Sequence, residues 1–240
     1  KVEKMKNKLE IDFTDQIKAE ALQKMTYVET PEVFLKTSRS NFKHLDINIE
    51  KLLNFPPPPN SSQETKKELA DIKKFMEMDH PQDFKTNLKK MDKDPAQLVI
   101  DHYEKITKSK APEDVLKFIT GGDVEVLAMK LKMHYNRPRP YQIAEHYGIK
   151  LDYNKSIQNG AANHPSYPSG HTLSAYFTAR VLGHVKPQVE KDLIKRAMMV
   201  ADSRVMEGVH FKSDNDFSVY LVDNVLMPAF LKKYDKGRNN

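Results

Sequence analysis

From residue 61 to residue 231 apolar side chains recur at spacings of three and four, and few stretches alternate with a period of two. Most of this chain can therefore bury its apolar residues only as amphipathic helices. Leu69, Ile72, Phe75 and Met76 mark one such run, opened by Ser61 with Glu64 three residues on and ending before Pro81. Helical patterns return at 95–108, 112–119 and 123–135. Residues 172–185 place Leu173, Tyr176, Phe177, Val181 and Leu182 on helical spacing, and 189–209 carry a broad stripe from Leu193 to Met206. A last helix covers 217–231, bent or ended near Pro228, which has no N–H to give to a helix ladder. The pattern predicts an all-α chain, a compact bundle of roughly seven to nine helices.

Pro56, Pro57, Pro58 and Pro59 enforce an extended, stiff spacer. The 55 residues before it are polar and mixed, with an amphipathic pattern at 15–24 and little else periodic. They read as an N-terminal arm or poorly packed extension (1–55), with the domain at 56–235. A length of 240 residues suffices for one core, and 30% charged residues predict a well-solvated surface. No apolar run reaches 18 residues, so no membrane span is expected. The absence of cysteine excludes disulfides and thiolate metal sites and leaves the redox compartment open. The first residue is Lys1, so location stays undetermined: soluble, and periplasmic or secreted if a leader was removed before Lys1. A net charge of +6 favours anionic partners, but Lys and Arg are scattered among acids without a nucleic-acid reader motif, and no nucleic-acid partner is expected. A homo-oligomer stays open.

Three stretches carry chemistry. Pro168-Ser169-Gly170-His171 lies at a helix start, where Ser169 can cap, Gly170 lets an anion approach bare N–H groups, and His171 can exchange a proton near neutral pH. Lys130 to Pro140 holds two overlapping copies of Lys, six residues, Arg-Pro: Lys130 with Arg137 and Lys132 with Arg139. The prolines end the helix and leave an arginine fork in extended backbone, a grip for an anion or simply cations at a helix C-terminus. His210 and Asp214 are four apart, so on a continuing helix they share a face and Asp214 orients the imidazole, with Arg204 able to reach the same pocket. Taken singly, each stretch also fits a plain loop, cap or hydrogen bond.

In this order, Lys-x6-Arg-Pro, Pro-Ser-Gly-His and Ser-Arg-x5-His-x3-Asp resemble the tripartite signature of the type 2 phosphatidic acid phosphatase (PAP2) superfamily. The chain is most similar to the soluble class A bacterial non-specific acid phosphatases, through the four prolines, Tyr-x-Arg-x-Arg-Pro, Ser-Tyr-Pro-Ser-Gly-His-Thr and His-x-x-Ser-Asp-x-Asp. The likeness runs from about Phe55 to Asp216 and selects Lys132 and Arg139 over the other register. Met206 and Glu207 depart from the smaller or thiol-bearing residues usual in that turn.

The resemblance implies a helical bundle of the PAP2/haloperoxidase type and a metal-independent phosphomonoester hydrolase. His210 would be the nucleophile that becomes phosphohistidine, Asp214 its orienting partner, and His171 the general acid and base. Lys132, Arg139, Ser169, Gly170 and Arg204 would bind phosphate. The implied partner is a small phosphorylated substrate. No cofactor is required, and vanadate is expected to inhibit. The alternatives are a vanadate-dependent haloperoxidase using vanadate as prosthetic group in the same pocket, and a structural or binding protein of an assembly carrying the fold. His134, His146, His164 and His184 have no metal-site spacing, and His164 is the one expected nearest the pocket.

Overall fold

The computed structural model describes residues 15–153 and 162–238. They contain α1 (Glu32–Ser38), α2 (Gln63–Glu77), α3 (Gln82–Lys93), α4 (Pro95–Thr107), α5 (Glu113–Thr120), α6 (Asp123–Tyr135), α7 (Gly170–Val185), α8 (Glu190–Met206), α9 (Lys212–Leu221) and α10 (Met227–Arg238), with shorter turns between. A further helical stretch covers 15–23, and no strand occurs among the described residues. The bundle is all-α, as its periodicity predicts. No helix among the described residues is long and apolar enough to cross a membrane.

The central element is α7, which packs on α8, α4, α9, α6 and α5. Its buried residues include Leu173, Ala175, Tyr176, Phe177, Ala179, Val181 and Leu182, apolar on nearly every face, as a helix enclosed by others must be. Gly183 allows α8 to come close: a Cβ there would meet the Glu190 side chain at 2.5–2.7 Å. The Pro-Ser-Gly-His stretch thus starts the most enclosed helix of the molecule, which fixes its position.

Three local readings shift. The cap of α2 is Ser62, which accepts from Thr65 N–H at 3.1 Å, not Ser61, whose own N–H is taken by the Gln23 side chain at 3.0 Å. The helix expected over 189–209 stops at Met206, because Gly208 takes a left-handed conformation (φ 70°) and turns the chain. The last expected helix is three pieces: α9, a wider π turn at Val222–Leu226, and α10. The chain continues as a helix past Pro228.

Residues 15–55 pack more closely than their lack of periodicity predicts, and 1–14 of the expected arm lie outside the described residues. Leu45 and Leu52 enter the main core, and Leu22 joins a second cluster with Leu69, Ile72 and Phe211. α1 lies along α6. At the first residue of α6, the buried Asp123 carboxylate accepts N–H groups of Lys43 (2.7 Å), His44 (2.7 Å) and Leu45 (2.8 Å). A carboxylate at a helix N-terminus also suits the dipole. Phe55, at the start of the proline run, donates its N–H to Tyr135 Oη at 2.9 Å and accepts from Tyr167 Oη at 2.7 Å. Tyr167 itself stacks on Phe217, ring centroids 4.3 Å apart, which makes it a core residue.

Candidate active site

α6 ends at Tyr135, where Asn136 adopts a left-handed conformation and its N–H caps Lys132 O at 2.8 Å. Pro138 and Pro140 then keep the fork extended, with Arg139 at φ −75° and ψ 157°. Lys132, on the last turn, is buried and its Nζ donates to Pro165 O at 2.7 Å. Lys130 points elsewhere, to Ser38 O at 2.9 Å. Of the two overlapping registers, the structure brings Lys132 and Arg139 to the other candidate residues.

At the start of α7, Ser169 is the cap residue: its Oγ accepts from Thr172 N–H at 3.3 Å and donates to Thr172 Oγ1 at 3.1 Å. Thr172 Oγ1 donates in turn to Asn215 Oδ1 at 2.7 Å. The nearest atom to a Cβ built on Gly170 is Ala128 Cβ at 4.0 Å, so its backbone face is open. His171 follows in the first turn.

His210 and Asp214 meet, but not along one helix. Gly208 ends α8, His210 sits in the extended link, and Asp214 lies in the first turn of α9, where its Oδ2 accepts Phe211 N–H at 2.9 Å. The same Oδ2 is 2.9 Å from His210 Nδ1 and accepts from Ser166 Oγ. The expected contact is therefore made by helix-cap geometry, the chain folding back over an N-terminus instead of running through it.

The tautomer of His210 follows from its partners. Arg139 Nη1 lies 2.7 Å from His210 Nε2, and a guanidinium only donates, so Nε2 carries the lone pair. The ring proton is then on Nδ1 and is donated to Asp214. Arg139 is anchored further by Nε to His164 O (2.8 Å), Nη1 to Val209 O (3.0 Å) and Nη2 to His164 Nδ1 (3.1 Å).

Burial and mutual repulsion dominate the electrostatics. Burial, then the neighbouring Arg139 charge, hold the Lys132 ammonium well below its usual range. Burial lowers Arg139 to about 10. His210 is pushed well below the usual imidazole value by burial and then by Arg139, Lys132 and Arg204. His171 is pushed the same way by burial and then by Arg204. Three cations so close to one another favour an anion among them. The buried Nε of Arg204 has no hydrogen-bond partner.

One carboxylate already faces this group. Asp92, near the end of α3, accepts from Arg204 Nη1 at 2.9 Å through Oδ1, and its backbone carbonyl accepts from His171 Nε2 at 2.7 Å. A carbonyl only accepts, so Nε2 of His171 bears a proton. Asp92 and Glu207 both favour the Arg204 charge against the burial that lowers it.

A cleft of about 490 Å³ opens onto the group, with Lys132, His164, Gly170 and His171 on one side and Phe34, Pro95, Ile119 and Met129 among its apolar walls. Arg139, Arg204, His210, Asp214 and Ser169 are all buried. Phe34 meets the His164 ring edge-on, centroids 4.6 Å apart. Among the described residues no three of His, Asp and Glu gather as a metal-ion set. Sequence reading missed Asp92, Glu68, Ser166 and Phe34. Only Ser166, inside the Ser-Tyr-Pro-Ser-Gly-His stretch, carried a local signal.

Comparison with known proteins finds non-specific acid phosphatases among the relatives of this chain. A non-specific acid phosphatase of Providencia stuartii is 31% identical over 144 residues, covering 56% of this chain and 55% of the relative. One of Salmonella typhimurium is 34% identical over 113 residues, covering 45% of this chain and 43% of the relative. One of Salmonella typhi is 30% identical over 112 residues. The chain thus spans about half the length of the curated relatives it matches. The family model of the PAP2 superfamily matches residues 117–222. That range holds Lys132, Arg139, Ser169, Gly170, His171, Arg204, His210 and Asp214 together, and over it the chain is similar to the PAP2 superfamily.

Proposed function

We propose that this protein is a phosphomonoester hydrolase of the acid phosphatase type. The observation that carries the reading is the tautomer of His210: Nδ1–H held by Asp214 at 2.9 Å and a lone pair on Nε2 directed into a group of three buried cations. A phosphate dianion entering this group takes donors from Lys132, Arg139 and Arg204, including the unpartnered Arg204 Nε, and from the Gly170 backbone, while the Ser169 hydroxyl must turn from Thr172 to join them.

Nε2 of His210 then attacks phosphorus in line. The phosphorus–oxygen ester bond breaks, its electron pair passes to the leaving oxygen, and His171, converted to imidazolium by a proton taken up as the phosphate dianion binds, gives that proton to the leaving oxygen and returns to neutral imidazole. In the second half His171 takes a proton from water, the water oxygen attacks phosphorus, and the nitrogen–phosphorus bond returns its electrons to His210. The cations supply to the equatorial oxygens the positive charge that metal ions supply in other phosphoryl-transfer sites. No metal is needed for the step.

Hydrolysis of an aryl phosphate, with and without chelator and vanadate, tests the reading on the parent and on His210→Ala. Chelator-resistant, vanadate-sensitive turnover that disappears in His210→Ala is expected, with phosphate trapped on His210 by quenching into alkaline denaturant, where the nitrogen–phosphorus bond survives. Turnover that survives in His210→Ala overturns the mechanism. Vanadate that switches on halide oxidation by peroxide, with no hydrolysis, would favour the haloperoxidase.

A further inference from the structure

Among the described residues the chemistry above leaves the buried cation of Arg137 unused. Arg137 is 2% exposed and does not line the cleft. Its Nη1 donates to Asp214 Oδ1 at 2.7 Å and to Ser213 Oγ at 2.8 Å, and its Nη2 lies 3.5 Å from Glu68 Oε2. Glu68, on α2, is fixed in turn by Ser213 N–H at 2.7 Å and Ser213 Oγ at 2.8 Å. The Arg137 guanidinium also lies 3.8 Å over the Phe211 ring. Glu68 lies outside residues 117–222.

Both oxygens of Asp214 are thereby divided between two jobs. Oδ2 serves His210, Phe211 N–H and Ser166, and Oδ1 belongs to Arg137. We propose that Arg137, clamped by Glu68, is a positioning residue that fixes the charge and orientation of Asp214 and through it keeps the lone pair of His210 on Nε2. This rests on the reading of His210 as nucleophile.

The argument is one of charge and of proton position. A buried carboxylate that loses its cation is relieved most cheaply by taking up a proton. A protonated Asp214 would no longer accept from Nδ1–H, so once phosphate has drawn Arg139 off Nε2 nothing would hold the lone pair there. The other charges facing the pair come from the opposite side: Arg139, Lys132, Arg204 and His171. They lie toward the phosphate and do not touch Oδ1. Lysine could supply the charge but not the two-ended fork that reaches Asp214 and Glu68 together.

The test compares Arg137→Met, Arg137→Lys and Glu68→Gln with the parent in the full chain, reading kcat, KM and the pH profile from 4 to 9 on an aryl phosphate, with thermal unfolding alongside. Arg137→Met is expected to lower kcat about 100-fold with KM within about threefold, and to move the acid limb to higher pH. Arg137→Lys should recover part of kcat and most of the acid limb, and Glu68→Gln should fall between parent and Arg137→Lys. A variant with a lower melting temperature but parental kcat and acid limb per folded molecule overturns the proposal. If Arg137→Met does not fold, parental kcat and acid limb in both other variants overturn it equally. A parent without turnover overturns the phosphatase reading alone. The inference is then read from the 15N shifts of the His210 ring: a bare Nε2 in the parent and a protonated one in Arg137→Met, with Arg137→Lys nearer the parent, support it, and the same tautomer in parent and Arg137→Met overturns it.

Discussion

Arg139 donates to Nε2 of His210 at 2.7 Å, so in the proposed reaction the cation that would bind phosphate also covers the lone pair that would attack it. Phosphate must draw that Nη1 away, which makes anion binding the event that uncovers the nucleophile. His210→Ala should lose turnover by several orders of magnitude while retaining vanadate affinity, because Lys132, Arg139 and Arg204 stay in place. Ser169→Ala, which removes one donor, should cost about 100- to 1000-fold in kcat. It should also cost about 1 kcal/mol of stability, since the same hydroxyl caps α7. Steady-state kinetics and denaturant unfolding on the two variants check both.

His164, His171 and His210 are each held well below the usual imidazole value of 6.5, chiefly by burial. The unfolded chain takes up protons on them as pH falls through about 6.5, and the folded chain does not, so stability is full above that pH and declines below it. Melting temperature should fall between pH 7 and pH 5, and phosphate, whose negative charge favours the imidazolium, should reverse part of the loss. The acid limb of kcat/KM should lie below 6.5. Arg204→Ala removes a charge that depresses both His210 and His171, so it should move that limb upward.

In the proposed reaction Asp92 would compete with phosphate for Arg204. Asp92→Asn keeps the backbone carbonyl that holds His171 but weakens the ion pair at 2.9 Å. Inhibition by phosphate should tighten roughly three- to tenfold, the equivalent of about 1 kcal/mol. If product release limits turnover, kcat should fall as the inhibition constant does. A phosphate inhibition constant unchanged from the parent would show that the pair does not oppose binding.

Phe34 supplies an apolar wall of the cleft from α1, beside His164. Phe34→Ala should raise KM for aryl phosphates severalfold while leaving inhibition by inorganic phosphate unchanged, since an apolar ring gives an aryl group packing surface and gives phosphate no donor. Comparison of an aryl with a small alkyl phosphate isolates the effect, which should be absent for the latter.

Local rules read the helices well where a single element decides its own limits. The expected span of α6 agrees with Asp123–Tyr135, because a run of apolar residues ends at a pair of Arg-Pro steps. The pairing of His210 with Asp214 was legible, yet its geometry was not: spacing of four suggests a helix face, whereas Gly208 at φ 70° breaks the helix and the contact becomes a cap. Glu68 and Asp92 were invisible for another reason. Glu68 meets Ser213 across 145 positions and Asp92 meets Arg204 across 112, and no periodicity within a helix reports a partner at that distance. Residues 15–55 were under-read because Leu45 and Leu52 are buried singly, without the repeat that announces a helix.

The Asp123 clamp works as a buckle. Its carboxylate fastens Lys43, His44 and Leu45 from about eighty residues away, and the helix it begins carries Lys132 on its last turn. A chain cut upstream of Lys43 keeps the buckle closed. One cut just downstream of Leu45 leaves a buried carboxylate with three partners missing at the head of the helix that presents Lys132. The strap whose loss orphans that carboxylate therefore begins at Lys43, some thirteen residues before the prolines, while Leu22 and Phe34 pack on the domain from further upstream.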